Sequence, residues 1–527
     1  MRRHPGNPWR GRLSAFLCSR RGRCLCAAAL CLAFVALPAL DALARAGGGQ
    51  SYSGGGSGGS SGGGGGGDGI GALIHLLVWL CIEFPIIGIP LTIGVVVMAG
   101  VAYARSSSGG NAAWSAGTGP GGGGAPEGIR GSSAAQQGRA AQLRNRFRQL
   151  RAGDPAFSRA LFEDFAYFLY AELQRARAHD NPALAAYATP EVLGALRDRT
   201  LADVRGIIVG AMQVQGIHGI GGPRVAIDVR VESNVVEVSA EEPGRERRFY
   251  RVDRLRLMRD AGARSRPAAR TQVLDCPNCG APFDALRGTT CTYCNQQVGG
   301  GHFDWQVTIF TSDRRELRGP LLTEDVPEAG TDLPTLRAPD AQQNFAALIE
   351  RDPALSWEAF ADRVREVFAH LQAGWSERDE ARIRPYITDN LFQSMVYWLD
   401  LYRAQRCRNL NEDSRILKMV LADVSSDETY DAVTVRVYAT GLDYTLSDDG
   451  KVLCGSRTRP RDYSEYWTLI RGRACQGKPK GSGKCPNCGG PLKISMTGTC
   501  DYCQAKVTSG DFDWVLSRIE QDESYGG

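Results

Sequence analysis

The chain has 527 residues, too many for a single core, and about 150 residues per domain predicts roughly three domains. Hydrophobic content of 43% and charged content of 23% are ordinary for globular protein and exclude a wholly disordered or fibrous chain. A net charge of +5 over this length gives no reason to expect nucleic acid as a partner.

The N-terminus is basic, with Arg2, Arg3, Arg10, Arg12, Arg20, Arg21 and Arg23. An apolar run from Cys24 to Leu40 follows, then small residues that fit cleavage at Ala42–Ala44 or Ala44–Ala46. Residues 1–46 therefore read as a secretory signal peptide or an uncleaved signal anchor. Residues 47–69 are nearly pure glycine and serine, with nothing to bury, and predict a flexible segment.

Residues 70–104 are apolar apart from His75, Glu83, Pro85 and Pro90. Phe84 to Ala104 alone is long enough to cross a bilayer without a charge. Ile70 to Ile82 would extend that helix, lie in the interface or form half of a hairpin. Glu83 fits a headgroup-level residue at the mouth of the span. Arg105, Arg130, Arg139, Arg144, Arg146, Arg148 and Arg151 follow the span, and only Asp68 stands in the stretch before it. The positive-inside rule then puts everything after Ala104 in the cytoplasm. Residues 105–139 form a second Gly/Ser/Ala linker. Ala140 to Ala152 reads as a short basic helix, resting on anionic headgroups or opening the next domain.

Beyond it the chain repeats itself. Cys276–Trp305 and Cys485–Trp514 align without a gap and share 15 of 30 positions. Both read C-P-N-C-G-x-P, then T-C-x-Y-C, then F-D-W. Asp154-Pro155-Ala156-Phe157-Ser158 matches Asp352-Pro353-Ala354-Leu355-Ser356, and each opens an amphipathic helix with the serine near its first turn. The first carries Phe157, Leu161, Phe165, Phe168 and Leu169; the second carries Leu355, Phe360, Val364, Val367, Phe368 and Leu371. Tyr187-Ala188-Thr189 and Tyr386-Ile387-Thr388 precede a further helix each. Alternating strands follow at Arg224–Val231 and Ala432–Val437, and again at Phe249–Met258 and Tyr463–Ile470. Helices first and strands after predict an α+β unit, one sheet covered on one face by helices. The expected units are 140–275 and 346–475, with ribbons at 276–305 and 485–514 and a linker over 306–345.

In the second unit, Asp443-Tyr444-Thr445, Asp448-Asp449-Gly450 and Glu465-Tyr466-Trp467-Thr468-Leu469-Ile470-Arg471 form a distinctive series. It resembles the C-terminal domain of the mitochondrial inner-membrane translocase subunit 44 and its bacterial relatives, the Tim-44-like domain proteins. Over Asp154 to Arg259 the resemblance is weaker, because Arg256-Leu257-Met258-Arg259 stands where E-Y-W-T is expected. The resemblance implies a cone-shaped fold similar to nuclear transport factor two, with a curved antiparallel sheet, helices and an apolar pocket. It also implies a bacterial inner membrane and a non-enzymatic scaffold linked to protein transport or membrane-protein assembly.

The eight cysteines Cys276, Cys279, Cys291, Cys294, Cys485, Cys488, Cys500 and Cys503 carry the chemistry. Their spacing, C-x2-C-x11-C-x2-C in both copies, delivers four thiols to a tetrahedron and points to two structural Zn2+ ions. Redox dithiols, iron and disulfides are the competing readings; a reducing cytoplasm favours metal. The hairpins offer only Arg287 and Lys493, which speaks against nucleic-acid binding. Phe303, Trp305, Phe512 and Trp514 are expected to anchor each ribbon on its own unit. His179, His218, His302 and His370 stand in no nucleophile or metal motif, and Cys407, Cys454 and Cys475 read as inert thiols. The expectation is a membrane-anchored scaffold with lipid and an unidentified protein as partners. The alternative is a small-molecule or enzymatic pocket in the second unit.

Overall fold

The computed structural model describes residues 133–527 apart from 243, 283–285, 318–329, 480–482 and 523–524. The expected signal (1–46), Gly/Ser segment (47–69) and membrane span (70–104) lie outside the described residues, as does most of the linker at 105–139. Among the described residues no helix is long and apolar enough to cross a membrane.

The first unit begins with α1 (Ser133–Gly153), α2 (Arg159–Arg175) and the short α3 (Pro190–Leu196). Three long strands follow: β1 (Leu201–His218), β2 (Arg224–Ser239) and β3 (Glu246–Asp260). A small strand pair, β4 (Leu286–Arg287) and β5 (Thr290–Cys291), lies in the ribbon, and β6 (Gln306–Leu317) comes after it. The second unit repeats the plan with α4 (Ala341–Arg351), α5 (Trp357–Glu377), α6 (Glu380–Ile383), α7 (Asp389–Ala404), β7 (Cys407–Ser426) and β8 (Tyr430–Ser447). It closes with β9 (Val452–Gly455), β10 (Arg461–Gly472) and, after its ribbon, β11 (Val515–Gln521).

Both sheets are antiparallel and share one order, β1-β2-β3-β6 and β7-β8-β10-β11, with β9 added beside β8. The ribbon is thus inserted between the third and fourth strands of each sheet and is not a C-terminal appendage. The linker expected over 306–345 also gives way at its start. The β-branched and aromatic run Val307-Thr308-Ile309-Phe310-Thr311 opens a strand that completes the first sheet, pairing Leu257 with Val307 and Arg256 with Ile309 across a bulge.

Ser158 and Ser356 cap α2 and α5; their hydroxyls accept the Leu161 and Ala359 N–H groups at 3.5 and 3.1 Å. The aspartates four residues before the capping serines have a different job. Asp154 accepts from Arg259 Nη2 at 2.5 Å and Asp352 from Arg471 Nη2 at 2.9 Å, all four side chains buried. These two pairs set the register of the repeat. Arg259 stands where Arg471 does, so Asp253 stands where Glu465 does, and the first copy reads D-R-L-R-L-M-R against E-Y-W-T-L-I-R. The alignment expected from sequence, with Arg256 at the position of Glu465, is therefore three residues off register.

Each unit has its own core. In the first, Phe157, Phe162, Phe165, Leu169 and Leu173 face Val229, Leu255, Leu257 and Val307; in the second, Phe360, Val364, Phe368 and Leu371 face Val433, Val435, Trp467 and Leu516. Phe162 takes the core position expected for Phe168, which is only half-buried. Helix phase explains this: with Ser158 as cap, the inward stripe runs through residues 162, 165, 166, 169 and 173, and the expected core residue Leu161 falls outside it.

The helix expected at Ala140–Ala152 spends its apolar stripe inside the protein, burying Phe147 and Leu150 in the first core. Its arginines reach the second unit: Arg151 donates to the Ser426 carbonyl at 2.6 Å and Arg148 lies 3.5 Å from Asp340. Elsewhere along this seam Leu161 packs with Tyr430, Ile470 and Val515. Arg518 bridges to Glu163 at 2.8 Å, and Asn390 donates to Asp164 at 2.6 Å.

Candidate metal centres

The two ribbons bring together the eight thiols that spacing selects. Within each set all four sulfurs lie within 4.8 Å of one another, and each set could hold a metal ion. Cys276–Cys294, Cys279–Cys291 and Cys485–Cys503 are each 3.8 Å apart, sulfur to sulfur. Sulfurs about 2.3 Å from a central zinc form a tetrahedron with an edge of about 3.8 Å. A disulfide would draw a pair to about 2.05 Å. The donor set fits a tetrahedral thiolate-bound ion, and four protein ligands leave no open position for a substrate.

Local backbone chemistry builds each knuckle. Gly280 and Gly489, at φ +75° and +73°, turn the chain after the second thiol, and their N–H groups bond the carbonyls of Cys276 and Cys485 at 2.8 and 2.9 Å. The Cys279 N–H reaches Cys276 Sγ at 3.5 Å. The second knuckle uses Asn295 and Gln504 at φ +54° and +59° in place of glycine. Sequence reasoning missed Asn278 and Asn487, the third residues of C-P-N-C. Bonds from the Asn278 side chain and the Gln296 N–H pull the Cys294 thiol down to about 6. The Ala505 N–H and Asn487 do the same for Cys503, also to about 6, with Asn487 Nδ2 3.4 Å from the sulfur. The fourth ligand of each set is thereby poised to be a thiolate at neutral pH.

The ribbons are bolted to their units. Trp305 and Trp514 are 3% and 0% exposed, each edge-on to a phenylalanine of the first long core helix, Phe162 or Phe360, at 5.2 Å between centroids. Arg259 lies 4.4 Å over Trp305 and Arg471 lies 4.7 Å over Trp514. The anchoring expected of the tryptophans is what these contacts provide. The aspartate of each F-D-W folds onto its neighbour's backbone: Trp305 and Trp514 donate their N–H groups to Asp304 and Asp513 at 2.7 Å. Tyr187 donates to the Asp275 carbonyl at 2.6 Å beside the first thiol. In the second copy Arg384 reaches the Met496 and Ile387 carbonyls at 2.9 and 3.1 Å and pairs with Asp389, which also pairs with Lys506. Gly498 lies in that contact at φ +83°, and a Cβ there would stand 2.5 Å from Arg384 Nη2.

The histidines do not converge. His179, His218 and His302 sit beside Asp203, Asp228 and Asp260 at 3.3, 3.0 and 2.7 Å, and His370 stacks on Tyr386. Cys407 and Cys454 are buried and burial pushes both thiols up; Cys475 is half-buried. A buried polar network that the sequence reading overlooked crosses the first unit. Asp253 accepts from Tyr170 at 2.6 Å, Gln174 at 3.0 Å and Arg251 at 3.0 Å, and Arg177 pairs with Glu237 at 2.8 Å. The signal for it was an Arg and an Asp on the same inward face of β3 as Leu255 and Leu257.

No curated protein matches the chain. Among solved structures, one described as an Ntf2 like protein involved in plasmid conjugation aligns over 67% of this chain and 94% of its own, at 8% identity and a TM-score of 0.15. Similarity at that level carries no argument. The family comparison is more specific. The family model described as the Tim44-like domain matches residues 341–480, so the second unit, from α4 through β10, carries a Tim44-like domain.

Proposed function

We propose that this chain is a non-enzymatic, membrane-anchored scaffold that presents two zinc-stapled α+β units to the cytoplasm of a bacterial cell. In this reading residues 70–104 form the anchor and the first unit is a divergent second copy of the Tim44-like domain. Both units take the cone form similar to nuclear transport factor two, and the work concerns protein transport or membrane-protein assembly. The observation that carries it is the pair of four-thiol sets, each inserted before the last strand of a sheet. A closed thiolate shell stabilises a surface and offers no site for chemistry. The Tim44-like match over the second unit supports the binding role. The alternative, a ligand or enzymatic pocket inside the second unit, gains nothing from its interior, where Trp375, Trp398, Trp467 and Trp514 are packed.

Two measurements test the proposal. The chain should stay with membranes through alkaline carbonate extraction and leave them when residues 70–104 are deleted. A maleimide that does not cross membranes should reach the half-buried Cys475 only after permeabilisation; Cys407, at 1% exposure, is unsuited to this assay. Carbonate release of the intact chain, or labelling of Cys475 in sealed cells, would overturn it.

A further inference from the structure

A cleft of about 400 Å³ opens between the two units, walled by α1 on one side and by α4, the end of β7 and the end of β10 on the other. Six arginines line it, Arg144, Arg148, Arg151, Arg159, Arg351 and Arg473, against three aspartates, Asp340, Asp423 and Asp427.

Three of the six arginines are paired with acids. Arg148 faces Asp340 at 3.5 Å, Arg351 holds Asp431 at 2.5 Å, and Arg159 holds Glu163 at 2.8 Å while reaching the Gly527 carbonyl at 3.2 Å. Asp427 is turned into its own loop, accepting the Thr429 and Tyr430 N–H groups at 2.8 and 2.7 Å. Asp423 lies in the field of Arg159 and Arg144. Arg151 and Arg473 are different. Each donates to a neutral carbonyl, Ser426 O at 2.6 Å and Asp427 O at 2.8 Å, and among the described residues neither forms an ion pair.

Arg151 is partly buried with only a carbonyl partner and keeps most of its desolvation cost, which an incoming anion would offset, while Arg473 is exposed and adds its charge from the solvent side. Burial accordingly lowers the Arg151 pKa. Guanidinium forks match the oxygens of a phosphoryl group two at a time, in a way that ammonium groups do not. The cleft also has apolar wall from Phe147, Phe157 and Leu348, and its volume exceeds that of a bare phosphate ion.

We propose that this cleft binds the phosphoryl group of an organic phosphate ester, held by Arg151 and Arg473 with Arg144 beside them. The ester is either a soluble metabolite or a lipid headgroup; both present the same oxygens. Occupancy would join α1 to β10 and so tie the first unit to the Tim44-like second.

The test uses the full chain held in neutral detergent at physiological salt. Calorimetric titrations employ glycerol 3-phosphate, inorganic phosphate and short-chain phosphatidylglycerol. Saturable binding of the soluble ester identifies a metabolite site, and binding of the lipid alone identifies a headgroup site; either supports the proposal. Affinity should fall about tenfold in Arg473→Gln and in Arg144→Gln. It should hold in Arg205→Gln, an exposed arginine of the first sheet paired with Glu246. Neither of the two cleft variants touches the Arg151 bond that joins the units, so both should fold. No saturable binding of any probe, affinity for inorganic phosphate alone, or affinity unchanged in both cleft variants would sink the proposal.

Discussion

Asp352 and Arg471 hold each other at 2.9 Å at 5% and 2% exposure, and Arg471 also lies 4.7 Å over the ring of Trp514. The start of the main helix, the third strand and the segment just past the ribbon therefore meet at one charged contact. Removing one partner leaves an uncompensated buried charge. Asp352→Asn and Arg471→Met should each destabilise the second unit by about 3–5 kcal/mol, and the double variant should recover much of that loss. Urea titration followed by tryptophan fluorescence measures both; additive effects would contradict the coupling.

Metal content should be two equivalents of zinc per chain, with one lost in Cys500→Ser and one in Cys291→Ser. The apparent binding energy of such a site, about 10–16 kcal/mol, is folding energy for its ribbon. Each variant should therefore also lose protection of the fourth strand behind its ribbon, β11 or β6, in hydrogen exchange. A chain holding iron, or none, after purification under reducing conditions would contradict this.

Arg384 separates the ribbon's metal from its docking. With its side chain 1% exposed and bonded to Met496, Ile387 and Asp389, its replacement by Met should cost about 2–4 kcal/mol while zinc stays at two equivalents. Loss of zinc in Arg384→Met would mean that docking and chelation are one event.

At the seam, burial and the nearby Glu163 and Asp389 push Asp164 up to about 7 from its usual 3.8. The folded protein then holds this proton more tightly than the unfolded chain. The stabilisation is complete below about pH 3.8 and is lost as pH rises through about 7. Asp164→Asn should melt above the parent at pH 8 and by a clearly smaller margin at pH 5. Equal melting differences at both values would place the Asp164 carboxyl in ordinary solvent.

What could be read in advance follows from how local the cause is. Thiol spacing is local, and it selected all eight clustered sulfurs. Strand alternation is local too, and Arg224–Val231 and Ala432–Val437 are the cores of β2 and β8. The fourth strand was lost because F-D-W looks like an ending, although Val307-Thr308-Ile309-Phe310 has the pattern of a strand. The register of β3 was lost because Asp253 does duty for Glu465 without its tryptophan, and only the long-range bonds of Asp154 and Asp352 reveal the equivalence. The seam had no local signature. Nothing in Leu161, Glu163 or Asp164 announces that the back of α2 meets Tyr430 and Arg518.

The place of the ribbons in chain order bears on synthesis. A sheet whose last strand follows a metal-binding loop cannot be completed until that loop has left the ribosome. The four thiols of each ribbon are made before β6 or β11, so they are free to take up metal first. Scarcity of metal would then halt each unit one strand short, with β3 or β10 as an open edge that chaperones and proteases can find. Final assembly of both units would report on zinc supply at the moment of translation.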